Sequence, residues 1–290
     1  MAKYPGNGSD GAKTDWPLSV LIAARNEEKY ISACLDALLA QTQAAGPVEI
    51  IVAANACTDR TVLVAQKRCA EFAARGWELI VLDLPEGGKL GALNAAEARA
   101  RGAGLVYLDA DVQCEPDLLG QLAQALSVPE PRYATGTLAV MPARTWVTRA
   151  YADVWTRLPF VKGGAVGAGL FALNRSGRAR WDTFPDIISD DTFVRLHFSP
   201  DERIEVPALY HWPMVEGFTN LVRVRRRQDT GVAEIYRLYP TLAANEAKTP
   251  LGWRGLAGLF VAAPLGFLVY LSVHVCVRLQ RSSSDWTRGR

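Results

Sequence analysis

No CxxC pair occurs in this chain, and its five cysteines (Cys34, Cys57, Cys69, Cys114 and Cys276) are odd in number and scattered. That pattern supplies neither a disulfide framework nor a zinc site, and it reads as reduced thiols in the cytosol. The opening stretch, MAKYPGNGSDGAKTDWP, lacks the apolar core that a signal peptide needs. Residues 1–16 are therefore expected to be a flexible lead-in, with the domain that follows on the cytosolic side. Charge of one sign is not in excess either: 32 basic against 30 acidic residues leave a formal net charge of +2. Nucleic acid is not expected as a partner on that balance, and electrostatic partners have to be read from local clusters. GxxxxGK[ST] is missing and no GxGxxG follows a predicted strand, which argues against a P-loop hydrolase and a dinucleotide-binding fold. Internal repeats and low-complexity tracts are absent as well.

What is present is globular in composition, 49% hydrophobic and 21% charged. Between Leu18 and Asp111 short apolar runs alternate with helical periodicity. Residues 18–23, 49–54, 78–82 and 104–108 each predict a buried strand of a parallel sheet. Ile31, Cys34, Leu35, Leu38 and Leu39 recur at helical spacing between the first two, and residues 58–75 and 90–101 fill the next two connections as helices. Strand–helix–strand repetition of this kind predicts an α/β fold with a doubly wound, mostly parallel sheet and flanking helices. Beyond it the pattern loosens, with strands expected at 133–140 and 170–173 and a helix at 145–160. Gly163, Gly164, Gly167 and Gly169 mark a mobile or tightly turned stretch. Residues 255–277 then run for 23 positions without Asp, Glu, Lys or Arg, between Arg254 and Arg278. That is long enough for an apolar C-terminal membrane helix, transmembrane or interfacial, kinked at Pro264 and followed by a basic tail at 278–290.

In an open α/β sheet ligands bind beyond the carboxyl ends of the strands. Three polar segments fall there: residues 24–28, 55–59 and 109–111. Asp109-Ala110-Asp111 is the sharpest of them, because two carboxylates at a strand end can converge on one Mg²⁺ or Mn²⁺ whose other ligands come from a diphosphate. Alone, Asp-x-Asp also marks an ordinary surface turn. Gly88-Lys89 opens a helix containing Asn94, and a glycine-led helix start favours anions; a solvated surface lysine has the same sequence. Asp190-Asp191 supplies a carboxylate able to take an acceptor proton, or else a helix start capped by Ser189 or Asp190. Asn55–Asp59 carries the same double reading, with Thr58 or Asp59 as the cap.

Taken in order, five segments resemble family 2 glycosyltransferases of the GT-A fold. They are Leu18-Ser19-Val20-Leu21-Ile22-Ala23-Ala24-Arg25-Asn26-Glu27, Ile51-Val52-Ala53-Ala54-Asn55-Ala56-Cys57-Thr58-Asp59, Gly88-Lys89-Leu90-Gly91-Ala92-Leu93-Asn94, Asp109-Ala110-Asp111 and Asp190-Asp191. The resemblance implies a catalytic domain over 17–250, with 17–112 as the nucleotide-binding half and 113–250 as the acceptor half. It implies that Ala23, Arg25, Glu27, Asn55, Lys89, Asn94 and Asp109 line the nucleotide, and that Asp111 with Asp109 holds the metal. Asp191, with Asp190 in reserve, becomes the catalytic base of an inverting transfer. The donor expected is a nucleotide sugar, UDP-linked. Ala53 and Ala54 stand where the family carries acidic residues, a departure that bears on which base is read.

Arg223, Arg225, Arg226, Arg227 and Gln228 stand where processive members carry Gln-x-x-Arg-Trp; that motif is broken here, so a non-processive enzyme is implied. Arg225, Arg226 and Arg227 are candidates for the leaving diphosphate or for anionic lipid. Trp181, His211 and Trp212 are candidates for an acceptor pocket, with core packing as the alternative. The implied partners are a nucleotide-sugar donor, a lipid-linked or glycan acceptor and a membrane, in envelope polysaccharide or glycolipid synthesis on the cytoplasmic face of the inner membrane. Two other functions fit parts of the pattern: a sugar-nucleotide pyrophosphorylase, and a non-catalytic nucleotide-sugar-binding membrane subunit.

Overall fold

A computed structural model of the chain describes residues 16–42, 45–248 and 250–279. All of the expected lead-in but its last residue (residues 1–15) and the end of the basic tail (280–290) lie outside the described residues. Strands β1 (Leu18–Ala24), β2 (Val48–Asn55), β3 (Glu78–Leu84) and β4 (Gly104–Asp109) form a parallel half-sheet in the order β3-β2-β1-β4. Their apolar runs have no polar face because both sides are covered. Val20, Ile22 and Ala24 of β1 enter one core cluster, under α1 (Ile31–Leu39) and α5 (Leu118–Leu126), while Leu21 enters a second, under α4 (Lys89–Glu97). The expected helix at 58–75 is two short ones, α2 (Thr61–Gln66) and α3 (Cys69–Ala74).

Beyond β4 the sheet ceases to be doubly wound in the expected sense. Strand β7 (Leu170–Asn174) runs antiparallel to both β4 and β6 (Tyr133–Val140), and β6 pairs in parallel with β8 (Arg203–Trp212). The two-residue strand β5 (Gln113–Cys114) closes the eight-stranded order on the far side of β8. The sheet is thus mixed, and its curled second half carries α6 (Trp146–Trp155), α7 (Arg175–Arg178), α8 (Asp190–Leu196) and α9 (Phe218–Leu238).

The apolar segment 255–277 requires a correction. It is split into α10 (Gly252–Ala262) and α11 (Pro264–Leu279), of 11 and 16 residues. Proline has no N–H to continue the ladder and drives the preceding residue out of the helical region; Ala263 sits at φ −150°, ψ 69°. No helix among the described residues is long and apolar enough to cross a membrane. Val269, Val273 and Val277 bury one stripe of α11 in a third core cluster with α6 and α9. Gly266 permits that approach, since a Cβ there would stand 2.6 Å from the Ala150 carbonyl oxygen.

At the sheet's amino edge Glu49 is fully buried, accepting from the Ser19 hydroxyl (2.6 Å) and from the Arg101 backbone N–H (2.8 Å) and Nε (2.6 Å). Glu49→Ala removes the acceptor for all three donors and is expected to cost about 1–3 kcal/mol, the range for leaving a buried donor unsatisfied, because the Arg101 guanidinium is half exposed and regains water. Chemical denaturation measures it; a loss below about 1 kcal/mol would mean that water replaces the carboxylate. Because Glu49 lies at the opposite strand end from the polar segments, nucleotide binding should not change.

Candidate active site

Ala23 of β1 is in register with Ala53 of β2 on one side and Asp109 of β4 on the other. Three neighbouring strands therefore end at one level, and the polar segments follow there. Loops 25–28 and 56–60 brace each other. Asn26 Oδ1 accepts from the Thr58 N–H (2.7 Å), and the Glu27 N–H donates to Thr61 Oγ1 (2.7 Å). Asp59 accepts from the Glu28 and Thr61 N–H groups at 3.2 and 2.9 Å. Partial burial alone would raise the Asp59 pKa, but these bonds and that from the Thr61 hydroxyl outweigh it and hold the carboxyl below its usual range. Asn26 and Ala56 both take positive φ, 56° and 45°. For alanine that conformation is costly, and its persistence at a strand end marks a turn fixed by its surroundings.

Asn55 is buried, and its amide is committed to the protein's own backbone. Its Nδ2 donates to the Ala24 carbonyl (2.9 Å), and its Oδ1 accepts from the Gly88 N–H (3.1 Å). It fastens the ends of β1 and β2 to the turn that opens α4. Asn94 does similar work one turn and a half along that helix: Oδ1 accepts from the Phe184 N–H (2.8 Å) and Nδ2 donates to the Phe184 carbonyl (3.2 Å). This clamps the segment leading to Asp190. Ala23 is half-buried at the strand end, and Arg25 lies against Gly87 in the same turn.

Odd-numbered residues of β4 face the layer containing α4 and α8, since Leu105 and Tyr107 belong to that core cluster. Asp109 follows this alternation and meets Lys89, whose Nζ lies 2.9 Å from Asp109 Oδ1 and 2.9 Å from Asp190 Oδ2. Surrounding protein atoms desolvate the ammonium and work against its charge. Asp109 and then Asp190 outweigh that and hold its pKa above the usual lysine range. Asp191 Oδ1 accepts from the Thr192 N–H at 2.6 Å. Desolvation, reinforced by the neighbouring Asp190 charge, raises the Asp191 pKa above the ordinary carboxylate range against the opposing pull of Lys89.

Behind Asp109 the chain turns sharply, with the Asp109 N–H donating to the Gly169 carbonyl (2.9 Å) and the Val112 N–H to the Asp109 carbonyl (3.1 Å). Gly169 has φ +75°, and a Cβ there would meet the Trp212 ring at 2.7 Å. Asp111 is buried within this turn. Among the described residues no three or more His, Cys, Asp or Glu side chains cluster so as to hold a metal by themselves. The donor set nevertheless suits a hard divalent cation of the Mg²⁺ or Mn²⁺ kind, which takes one or two carboxylates and completes its shell from phosphates and water. The Lys89 ammonium already occupies one position where positive charge is welcomed by two carboxylates.

A cavity of about 710 Å³ opens beside Asp191 between the 159–168 loop and α9. Arg225 lines it, ion-paired to Asp229 at 3.0 Å, whereas Arg227 is exposed to solvent. The three aromatic candidates are elsewhere. Trp181 packs with Phe184, Phe193 and His197 in the core, beneath the Arg178 guanidinium. His211 Nε2 lies 2.8 Å from Glu115 Oε1 at the sheet edge. Trp212 stacks on Trp155, and it is Trp155 that lines the cavity. Arg195, Tyr236 and Glu246 also line it and were not singled out by sequence. Only Arg195 carried a local signal, one helical turn after Asp191.

An open sheet with a carboxylate cluster at its carboxyl edge, and a mixed second half enclosing a cavity there, is the GT-A arrangement. Residues 19–170, just over half of the chain, match the model of glycosyl transferase family 2. The chain belongs to that family, a family of transferase enzymes. It is 24% identical over 277 aligned residues to the beta-monoglucosyldiacylglycerol synthase of Synechocystis sp., with 87% of this chain and 54% of that protein covered. The chain thus spans about half the length of this curated relative.

Two solved structures share the fold. The mannosyltransferase PcManGT from Pyrobaculum calidifontis, in complex with GDP-Man and Mn²⁺, has a TM-score of 0.58 at 20% identity, covering 96% of this chain and 80% of that one. Residues 1–349 of TarS from S. aureus, in complex with UDP, give 0.50 at 16% identity, covering 94% and 95%.

Proposed function

We propose that the protein is an inverting, metal-dependent glycosyltransferase that moves a sugar from a nucleotide-sugar donor to a membrane-associated or glycan acceptor. One observation carries this reading: a single ammonium, Lys89, touches both the Asp-x-Asp turn and the Asp190-Asp191 pair. Asp109, expected to serve the donor, is thereby joined through one side chain to Asp190, the immediate neighbour of the expected base Asp191. The complexes of PcManGT with GDP-Man and Mn²⁺ and of TarS with UDP agree with a nucleoside-diphosphate sugar as donor.

Arg25 and Glu27 edge the nucleotide end, with Asn55 holding the turn beneath rather than reading the base. Asp111 and Asp109 would hold Mg²⁺ or Mn²⁺, which supplies Lewis-acid stabilisation of the leaving diphosphate. Asp191 takes the acceptor hydroxyl proton; desolvation and the neighbouring Asp190 charge raise its pKa above the ordinary carboxylate range, which makes its carboxylate a stronger base than that of an exposed aspartate. Asp190 keeps Lys89 in place, and Arg225 is the basic-cluster member that lines the cavity beside Asp191.

Donor hydrolysis tests the reading. Purified protein incubated with UDP-, GDP- and dTDP-sugars is expected to release nucleotide from one donor with Mn²⁺ and not with EDTA. Asp111→Ala should lower that rate about 10²–10³-fold, the range for losing one strong transition-state contact. No metal-dependent binding of any nucleotide would overturn the catalytic reading.

Membrane attachment belongs to the same proposal, as an interfacial hairpin rather than a span. Trp253 and Val261 of α10 are 75% and 80% exposed, and Leu265, Leu268 and Leu271 continue an apolar surface along α11. Arg254 and Arg278 flank it, a disposition suited to the headgroup boundary of an anionic leaflet. The protein should co-sediment with vesicles containing anionic lipid, and the double variant Phe260→Ser, Leu268→Ser should reduce binding about tenfold or more. Equal binding by the two proteins would remove the hairpin from the account.

A further inference from the structure

The cavity beside Asp191 has two unlike walls. On one, Arg195 pairs with Glu246 at 2.9 Å, and the Tyr236 hydroxyl donates to the same carboxylate at 2.9 Å. Arg203 stands next to them and, among the described residues, forms no ion pair with a carboxylate. Its guanidinium donates to the Phe198 and Asn245 carbonyls, and burial, followed by the nearby Arg195 charge, lowers its pKa to about 10. On the other wall are Trp155 and Phe160, which belong to the third core cluster together with residues of α10 and α11. At about 710 Å³ the space is of the size that encloses a whole small-molecule ligand.

Those walls constrain what can fill the space. An acyl chain laid along Arg195, Arg203 and Glu246 would strip water from them and return no hydrogen bond. A lipid alcohol engaging only Asp191 would leave that wall unanswered. Each hydroxyl of a sugar ring both donates and accepts, so it can meet carboxylate and guanidinium alike. The ring's C–H face suits the Trp155 and Phe160 side.

We propose that this cavity is the acceptor subsite and that it takes a sugar, with one ring hydroxyl presented to Asp191, rather than a bare lipid alcohol. The inference rests on Asp191 being the base of the proposed transfer. In that step the acceptor oxygen bonds to the donor's anomeric carbon. The bond from that carbon to the diphosphate oxygen breaks with its electron pair going to the nucleoside diphosphate, and the hydroxyl proton passes to Asp191.

The test uses the full chain and a panel of methyl and octyl glycosides of glucose, galactose, mannose and N-acetylglucosamine in both anomers, with 1,2-dioctanoylglycerol as the lipid alcohol. Binding is read calorimetrically and donor hydrolysis is followed in parallel. Ala233→Trp and Gln228→Trp place a bulky ring in the cavity from exposed positions of α9. The expected result is that at least one glycoside binds, is not displaced by dioctanoylglycerol, and binds tenfold or more weakly to both variants, with donor hydrolysis unchanged. Equal binding of methyl and octyl forms would assign a free glycan. Binding of octyl forms alone would assign a lipid-linked sugar whose chain follows Trp155 and Phe160 toward α10 and α11. Binding of no glycoside, displacement by dioctanoylglycerol, or unchanged affinity in the variants would overturn the proposal. A wild-type protein that binds a glycoside but hydrolyses no donor would instead count against the proposed transfer, leaving the subsite standing.

Discussion

Asp191→Asn is expected to slow glycosyl transfer by about 10²–10⁴-fold, the usual contribution of a positioned general base, while nucleotide affinity changes by less than about twofold. The substitution preserves shape and the bond from the Thr192 N–H, and removes only the ability to take a proton. A pH profile separates this from a structural effect. The Asp191 pKa is raised by desolvation and by Asp190, and a group in the proposed role of general base acts in its carboxylate form. Turnover in the wild type should therefore fall as pH drops through a value above the ordinary aspartate range. The residual activity of Asp191→Asn should lack that limb. Asp190→Asn is the informative companion: it weakens one of the two contacts to Lys89 and should disturb donor affinity more than Asp191→Asn does. Equal loss of transfer and of nucleotide binding in Asp191→Asn would remove it from the role of base.

The parallel half of the sheet was legible in sequence because strands buried on both faces read as unbroken apolar runs. Each ends at its polar loop within a residue or two of the expected position, as at Asn55 and Asp109. The second half was not. Strand β8 carries Arg203, Glu205 and His211 among its apolar residues, since its first residues line the cavity and its outer edge pairs only with the two residues of β5. Periodicity in residues 255–277 gave hydrophobicity but not the helix break, although Pro264 announced it; the valine stripe that ties α11 to α6 is a tertiary fact. Within the site, sequence marked Lys89, Asp109, Asp190 and Asp191, and the fold brings these together. It also marked Asn55 and Asn94, whose amides prove to be spent on backbone groups of Ala24, Gly88 and Phe184. An asparagine reads alike whether it faces a base or a peptide, so only packing could separate the two. Glu246, 55 residues beyond Asp191, had no local pattern to reveal it at all.

Lys89→Met should move two measurements in opposite directions. In the free protein the ammonium shares Asp109 with any metal that the Asp-x-Asp turn takes up. Two positive centres about 5 Å apart repel by several kcal/mol at an effective dielectric of about 20. Solvent screens part of this, because 42% of the Lys89 side chain is exposed. Removing the charge should therefore tighten Mn²⁺ binding without nucleotide by about tenfold or more, tenfold being about 1.4 kcal/mol. Transfer should nevertheless fall by about 10²-fold, for two reasons. Asp109 and Asp190 lose the cation that holds the strand end and the start of α8 together, and the leaving diphosphate loses a nearby positive charge. Lys89→Arg, which keeps the charge, should leave Mn²⁺ affinity near the wild-type value. Isothermal titration with Mn²⁺ and a nucleotide-release assay on the same preparations decide the matter. If metal affinity and transfer fell together in Lys89→Met, the lysine would be bracing the metal site rather than competing for it, and the metal would have to be placed away from Asp109.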